Sequence, residues 1–163
     1  MKWYACYTKP RAEKTSFARL ERAGIECYLP LKKERRKWSD RLKTVTIPLF
    51  PSYIFVHIED HHFNKARIEG DLVGFITFEG KAASIPDDQI DAVRRIIAQE
   101  TAVEVAPPDM KPGQKIEIIG GPLIGIKGEL VRHQGNHNVL VRLAEVGQGL
   151  LFTVDKELIS SRI

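Results

Sequence analysis

The stretch Pro48-Leu49-Phe50-Pro51-Ser52-Tyr53-Ile54-Phe55-Val56 constrains the fold of this chain more than any other. Two prolines bracket a turn, and the residues after it favour a strand, in which successive side chains point to opposite faces. Tyr53 and Phe55 then share one face, while Ile54 and Val56 share the other. A strand that is apolar on both faces is either sandwiched between two layers or offers one face to a partner.

The remainder of the first hundred residues supplies the other layers. Residues 2–8 alternate, with Trp3, Ala5 and Tyr7 opposite Tyr4, Cys6 and Thr8, and predict a strand that Lys9-Pro10-Arg11 breaks. Ala12, Phe17, Leu20 and Ala23 form a helical stripe that stops at Gly24. A short strand, 25–30, follows. Residues 31–47 predict an extended basic hairpin turning at Trp38-Ser39-Asp40-Arg41. A short helix is expected over 61–68 and a strand over 72–78. Asp87 and Asp88 open a last helix, which carries Ile90, Val93 and Ile97 along one side.

From Thr101 to Pro112 the helical pattern is lost and Pro107, Pro108 and Pro112 appear, marking a domain boundary. Beyond it, glycines separate short strands at 115–119, 127–133, 138–143 and 150–154, with a hairpin turn at Gln134-Gly135-Asn136. That spacing over roughly 50 residues predicts a small β-barrel.

Charge is unevenly spread. Residues 1–56 hold 13 Lys+Arg against 5 Asp+Glu, residues 57–102 hold 5 against 9, and residues 103–163 hold 7 against 7. A basic first third suggests a polyanion met on one side only. No apolar run approaches the roughly 18 residues of a membrane span, and no signal-peptide stretch follows Met1, so a cytoplasmic protein is expected. Cys6 and Cys27 form no Cys-x-x-Cys pattern. His61 and His62, and His133 and His137 beside the 134–136 turn, do not have metal-ligand spacing, and no metal or cofactor is expected. Lys127-Gly128-Glu129 lacks the Ser or Thr of a phosphate-binding loop, and no catalytic triad or carboxylate pair is suggested, so the chain does not read as an enzyme.

Taken together, four pieces resemble the NusG-like transcription factors: Trp3-Tyr4, the Pro48–Val56 stretch, Pro86-Asp87-Asp88-Gln89-Ile90, and Gly120-Gly121-Pro122-Leu123-Ile124-Gly125-Ile126-Lys127-Gly128. The last is similar to the KOW motif of that family, and Lys37-Trp38-Ser39-Asp40-Arg41 resembles the specialised RfaH- and UpxY-like antitermination paralogues. Ser52, Thr77 and Ile124 stand where the family pattern has glycine or a small residue. The resemblance implies an α+β fold: an antiparallel four-stranded sheet with flanking helices (an NGN domain, 1–102), a linker (103–112), and a small all-β SH3-like barrel (a KOW domain, 113–163).

The resemblance further implies a monomeric elongation and antitermination factor that docks on the clamp helices of bacterial RNA polymerase. Tyr7, Tyr53, Phe55, Ile90 and Val93 would form the docking patch. Lys9, Arg11, Arg35, Arg36, Lys37, Trp38 and Arg41 would meet upstream or non-template DNA, the cations on phosphates and the indole on an unpaired base. The KOW domain would recruit a small-subunit ribosomal protein or the termination factor Rho. A second reading, a ribosome-associated or RNA-binding KOW module, is disfavoured by the neutral charge of 103–163.

Overall fold

The computed structural model describes residues 1–99, 102–107, 109–133, 135–143 and 147–161. Thr101 and Pro108 of the expected boundary, Gln134 of the expected turn, and the side chains of His133 and Asn136 lie outside the described residues. The chain forms two compact units, Met1–Asp87 and Asp88–Ile163.

The first unit is built on β1 (Lys2–Thr8) and β5 (Tyr53–Ile58), paired antiparallel with Tyr7 opposite Tyr53 and Ala5 opposite Phe55. β2 (Glu26–Tyr28) flanks β5, and β6 (Leu72–Phe75) flanks β1, giving the order β2-β5-β1-β6. The pair Ser84–Ile85, β9, adds to the same side of β1 as β6, opposite Trp3 and Tyr4. One face of the sheet carries Tyr4, Cys6, Ile54, Val56 and Ile58. These residues pack with Leu20 of α1 (Glu13–Arg22) and Ala66 of α2 (Phe63–Glu69) into one buried core. Burial of large aliphatic side chains stabilises at roughly 1.5–3 kcal/mol apiece.

Local chemistry fixes the helix ends. Gly24 adopts φ 75° after the last turn of α1. Its N–H reaches the Glu21 carbonyl at 2.9 Å and the Ile25 N–H reaches Leu20 at 3.0 Å, a Schellman stop. Arg19 donates from Nε to the Glu69 carbonyl at 2.8 Å, so a cation on α1 caps the last turn of α2.

The basic segment forms its own two-stranded ribbon, β3 (Leu31–Trp38) with β4 (Arg41–Pro48). The expected strand over 72–78 is instead divided at Ile76. Thr77–Phe78 (β7) turns through Glu79 and Gly80, both at positive φ, to pair with Lys81–Ala82 (β8) as a separate small hairpin. Each strand takes over only two residues, too few for alternation to show in sequence.

The second unit holds nearly all of α3 (Asp87–Ala98) and an all-β region. Its six-stranded antiparallel sheet has the order β10-β14-β13-β12-β11-β15. These strands are β10 (Glu104–Val105), β11 (Gln114–Ile118), β12 (Lys127–His133), β13 (Asn136–Leu143), β14 (Gln148–Phe152) and β15 (Ile159–Ser160). Inside the segment read as linker, Glu104 and Val105 pair with Leu151 and Leu150. Val139, Leu140 and Val141 are buried in succession, so both faces of β13 are covered. Arg95 of α3 donates from Nη2 to the carbonyls of Pro122 and Ile124 at 3.0 and 2.7 Å.

Candidate functional site

At the end of the first sheet where β1 meets the turn before β5, Tyr7 and Tyr53 stand side by side. Register pairing places them directly opposite, with ring centroids 5.1 Å apart and the planes tilted by 45°. Tyr7 is 40% exposed and Tyr53 is half-buried. A hydrogen bond with the Tyr53 side chain, reinforced by charge repulsion between the two phenols, raises the Tyr7 pKa above its ordinary value. On its other side Tyr7 faces Gly74 of β6, where an added Cβ would meet nothing within 4 Å, so the ring has an open flank.

The turn geometry explains why this end of the sheet stays uncovered. The Leu49 N–H bonds the Pro30 carbonyl at 2.8 Å and the Thr8 N–H bonds Ser52 at 2.9 Å, so the turn is pinned from both strands. Phe50 folds back and meets Phe55 edge-on at 6.2 Å, while Tyr28 lies across Phe55 at 6.4 Å. Phe55, although on the same face as Tyr53, is therefore only 1% exposed. Ile90 and Val93 belong to α3 in the other unit, and at 1% and 0% exposure they too are core. Of the five residues expected in a docking patch, Tyr7 and Tyr53 are brought together at the surface and the other three are buried.

The basic ribbon is a second exposed surface. Side chains directly opposite in an antiparallel pair share a face. Arg36 and Trp38 therefore lie with Lys43 and Arg41, while Arg35 and Lys37 lie on the opposite face with Thr44 and Leu42. Ser39 takes φ 53° at the turn. Trp38 is 61% exposed, with the Lys43 ammonium 5.3 Å from its ring centroid. That cation–π contact covers part of the indole and leaves the rest to solvent. Arg36 is engaged by Glu34 at 3.2 Å, whereas Arg35 and Arg41 carry no ion pair among the described residues. Lys14 of α1 donates to the Thr46 carbonyl at 2.6 Å and steadies the base of the ribbon.

Lys9 and Arg11 follow β1 in the loop beyond Tyr7. Lys9 is held by Asp71 at 3.1 Å, and Arg11 is exposed with φ 62°. Sequence reasoning placed Lys43 in the basic hairpin but not its contact with Trp38, and it missed Gly74. Both are found only through cross-strand register, which places Lys43 beside Trp38 and Gly74 beside Tyr7.

Among the described residues, no three His, Cys, Asp or Glu side chains gather as a metal site. Burial pushes both thiols up, that of Cys27 to about 11, so neither is a nucleophile near neutrality.

A family model described as transcription termination factor NusG matches residues 1–94, more than half of the chain. The chain belongs to the NusG family. Membership makes it a transcription elongation factor of the NusG type, in a family of non-enzymatic factors. Thermotoga maritima NusG, from a structure describing domain interaction in that protein, is similar at 20% identity with a TM-score of 0.55, over 99% of this chain and 97% of that one. The NusG likeness is thus one of fold along the whole length. A chain of the MjSpt4:Spt5 complex aligns at 16% identity and a TM-score of 0.32, over 97% of this chain and 95% of that one. Among the described residues, no helix is long and apolar enough to cross a membrane.

Proposed function

We propose that this NusG-family factor docks on the clamp helices of bacterial RNA polymerase through the Tyr7–Tyr53 pair and suppresses pausing and termination. The observation that carries the reading is an exposed aromatic pair, held rigid by strand register and flanked by an open glycine. Rigid aromatic anchors carry most of the energy of protein interfaces, because they bury much area at little rotamer cost. Phe55 enters as a buried neighbour of Tyr53 on the same face of β5, and Ile90 and Val93 as the core side of α3. Binding that favours the closed, elongating polymerase shifts the population away from paused states without any chemical step.

In this reading residues 1–102 act as the NGN domain and 113–163 as the KOW domain, joined through 103–112. The basic ribbon, with Lys9 and Arg11, meets upstream or non-template DNA. The KOW domain recruits a further protein, such as a small-subunit ribosomal protein or Rho. The factor works in the cytoplasm as a monomer, as an RfaH- or UpxY-like antitermination paralogue.

Retention of core RNA polymerase by immobilised full-length protein tests the docking. Tyr7→Ala with Tyr53→Ala should weaken binding by more than about 1 kcal/mol per ring. Phe55→Ala is not a clean probe, since a large-to-small change in a core costs about 3–5 kcal/mol of stability. A folded double-tyrosine variant that binds polymerase as well as the parent protein would refute the docking surface.

A further inference from the structure

The C-terminal sheet carries a groove that its own ladder leaves open. The pairing of β11 with β12 ends at Gln114 opposite Leu130. Immediately before it, Gly113 approaches so closely that an added Cβ would lie 2.1 Å from the Leu130 carbonyl oxygen. That carbonyl therefore points toward the β11 side. In a strand the N–H and C=O of one residue point the same way and alternate residues repeat the direction, so Arg132 presents its backbone to the same side. Pro112 has no N–H to extend the ladder there. The chain splays instead, leaving a cavity of about 360 Å³.

The groove is flanked by a half-buried polar clamp. Arg142 donates from Nε to Glu129 Oε2 at 2.6 Å and from Nη2 to the Met110 carbonyl at 3.0 Å. The Gly113 N–H donates to Glu129 Oε1 at 3.0 Å. The only acid of β12 is thus consumed by the clamp. Met110, Pro112, Leu130 and Val131 supply the apolar part of the lining, Leu130 and Val131 from opposite faces of β12, and the exposed cations Lys111 and Arg132 make the rim, with no acidic side chain among the lining residues.

We propose that this groove takes an extended peptide of a partner protein in which acidic and aliphatic side chains alternate. The peptide adds its backbone to the free edge of β12 at Arg132, sets aliphatic side chains against the apolar lining, and places carboxylates against Lys111 and Arg132. Strand addition of this kind takes affinity from main-chain hydrogen bonds and specificity from alternate side-chain pockets. A nucleic-acid strand fits less well. No aromatic side chain lines the groove for base stacking, and two cations neutralise little of a phosphate backbone. The proposal rests on the reading that the C-terminal unit recruits a protein, and it names where and by what chemistry.

The test is a titration of the full chain, followed by amide NMR, with a set of capped hexapeptides alternating Asp or Glu with Val, Ile or Leu. Matched Asn and Gln peptides and an oligouridylate serve as comparison arms. Saturable shifts at the amides of Lys111, Gly113, Val131 and Arg132 are expected. The neutral peptides should bind about tenfold more weakly, the scale of two exposed ion pairs. Lys111→Glu with Arg132→Glu should cause a similar loss while other signals stay in place; if that pair disturbs the fold, Lys111→Gln with Arg132→Gln gives the same comparison. The assignment is overturned by equal binding of the neutral set, by tighter binding of the oligouridylate at these amides, or by the absence of shifts there with every peptide. Should a ribosomal protein or Rho bind the C-terminal unit through other amides, the groove fails while protein recruitment stands.

Discussion

The Tyr4 hydroxyl on β1 donates a 2.6 Å hydrogen bond to Asp60 Oδ1, tying the central strand to the turn that opens α2 across 56 residues of sequence. Its ring meets Phe63 edge-on at 4.9 Å and Phe75 at 6.2 Å, so one side chain joins the apolar core to a carboxylate at its rim. Burial first, then the Asp60 hydrogen bond and the charges of Asp60 and Glu59, push the Tyr4 pKa from 10.0 up to about 12.

A raised tyrosine pKa means that the folded state keeps its proton longer than the unfolded chain. Between pH 10 and about 12 the native state binds more protons, and unfolding free energy falls as pH rises. The stabilisation is complete below pH 10 and is lost as pH rises through about 12. Tyr4→Phe should cost about 0.5–1.5 kcal/mol at neutral pH. It should also flatten the alkaline decline, as read by urea unfolding at a series of pH values. A decline as steep as the parent's would assign the alkaline sensitivity to another group.

The Tyr7–Tyr53 pair has its own titration signature. Because the Tyr53 side chain is the chief cause of the raised Tyr7 pKa, Tyr53→Phe should bring Tyr7 back toward an ordinary phenol. The ring-proton signals of Tyr7 followed against pH report this directly. An unchanged Tyr7 titration in Tyr53→Phe would mean that the two hydroxyls do not interact in solution.

Much of this architecture is legible in the sequence, for identifiable reasons. Alternation over residues 2–8, the stop at Gly24 and the basic run around Trp38 each report a local preference, and β1, α1 and the β3–β4 ribbon follow them. Local preference fails where tertiary contacts decide. Alternation puts Tyr53 and Phe55 on one face but does not reveal that Phe50 folds back over the second and not the first. The apolar run at 72–78 reads as a single strand because Glu79, at φ 52°, is an unusual residue for the first half of a tight turn. β10 has only Glu104 and Val105, and among prolines its strand character comes from pairing with β14.

Ser52 offers a test of stored strain in the turn that positions Tyr53. It sits at φ 68°, in the left-handed region, where a side chain costs roughly 1–2 kcal/mol. Glycine removes that cost and adds about 0.5–1 kcal/mol of unfolded-state entropy. Ser52→Gly should therefore leave stability unchanged or raise it by up to about 1.5 kcal/mol, measured by denaturant midpoint at constant slope. A clear destabilisation would show that the serine hydroxyl supplies a contact outweighing the strain.

The ribbon allows the sharpest separation between nucleic-acid contact and simple solubility, because its cations are not equivalent. Glu34 already engages Arg36, and Lys43 rests over Trp38, whereas Arg35 and Arg41 point from opposite faces with no ion pair among the described residues. A phosphate contact releases counterions, so each one lost should flatten the dependence of log affinity on log salt by about 0.7–0.9. Arg35→Ala with Arg41→Ala should then reduce the slope for a DNA-containing elongation complex by about 1.5 units. Arg36→Ala should change the slope less, since its charge is partly spent on Glu34. Trp38→Ala should instead weaken single-stranded DNA binding by about 1–3 kcal/mol, with the slope nearly unchanged, as expected for stacking. Binding to isolated clamp helices should be insensitive to all three changes. Equal losses with and without DNA would mean that the ribbon touches polymerase or supports the fold, and its assignment to nucleic acid would be withdrawn.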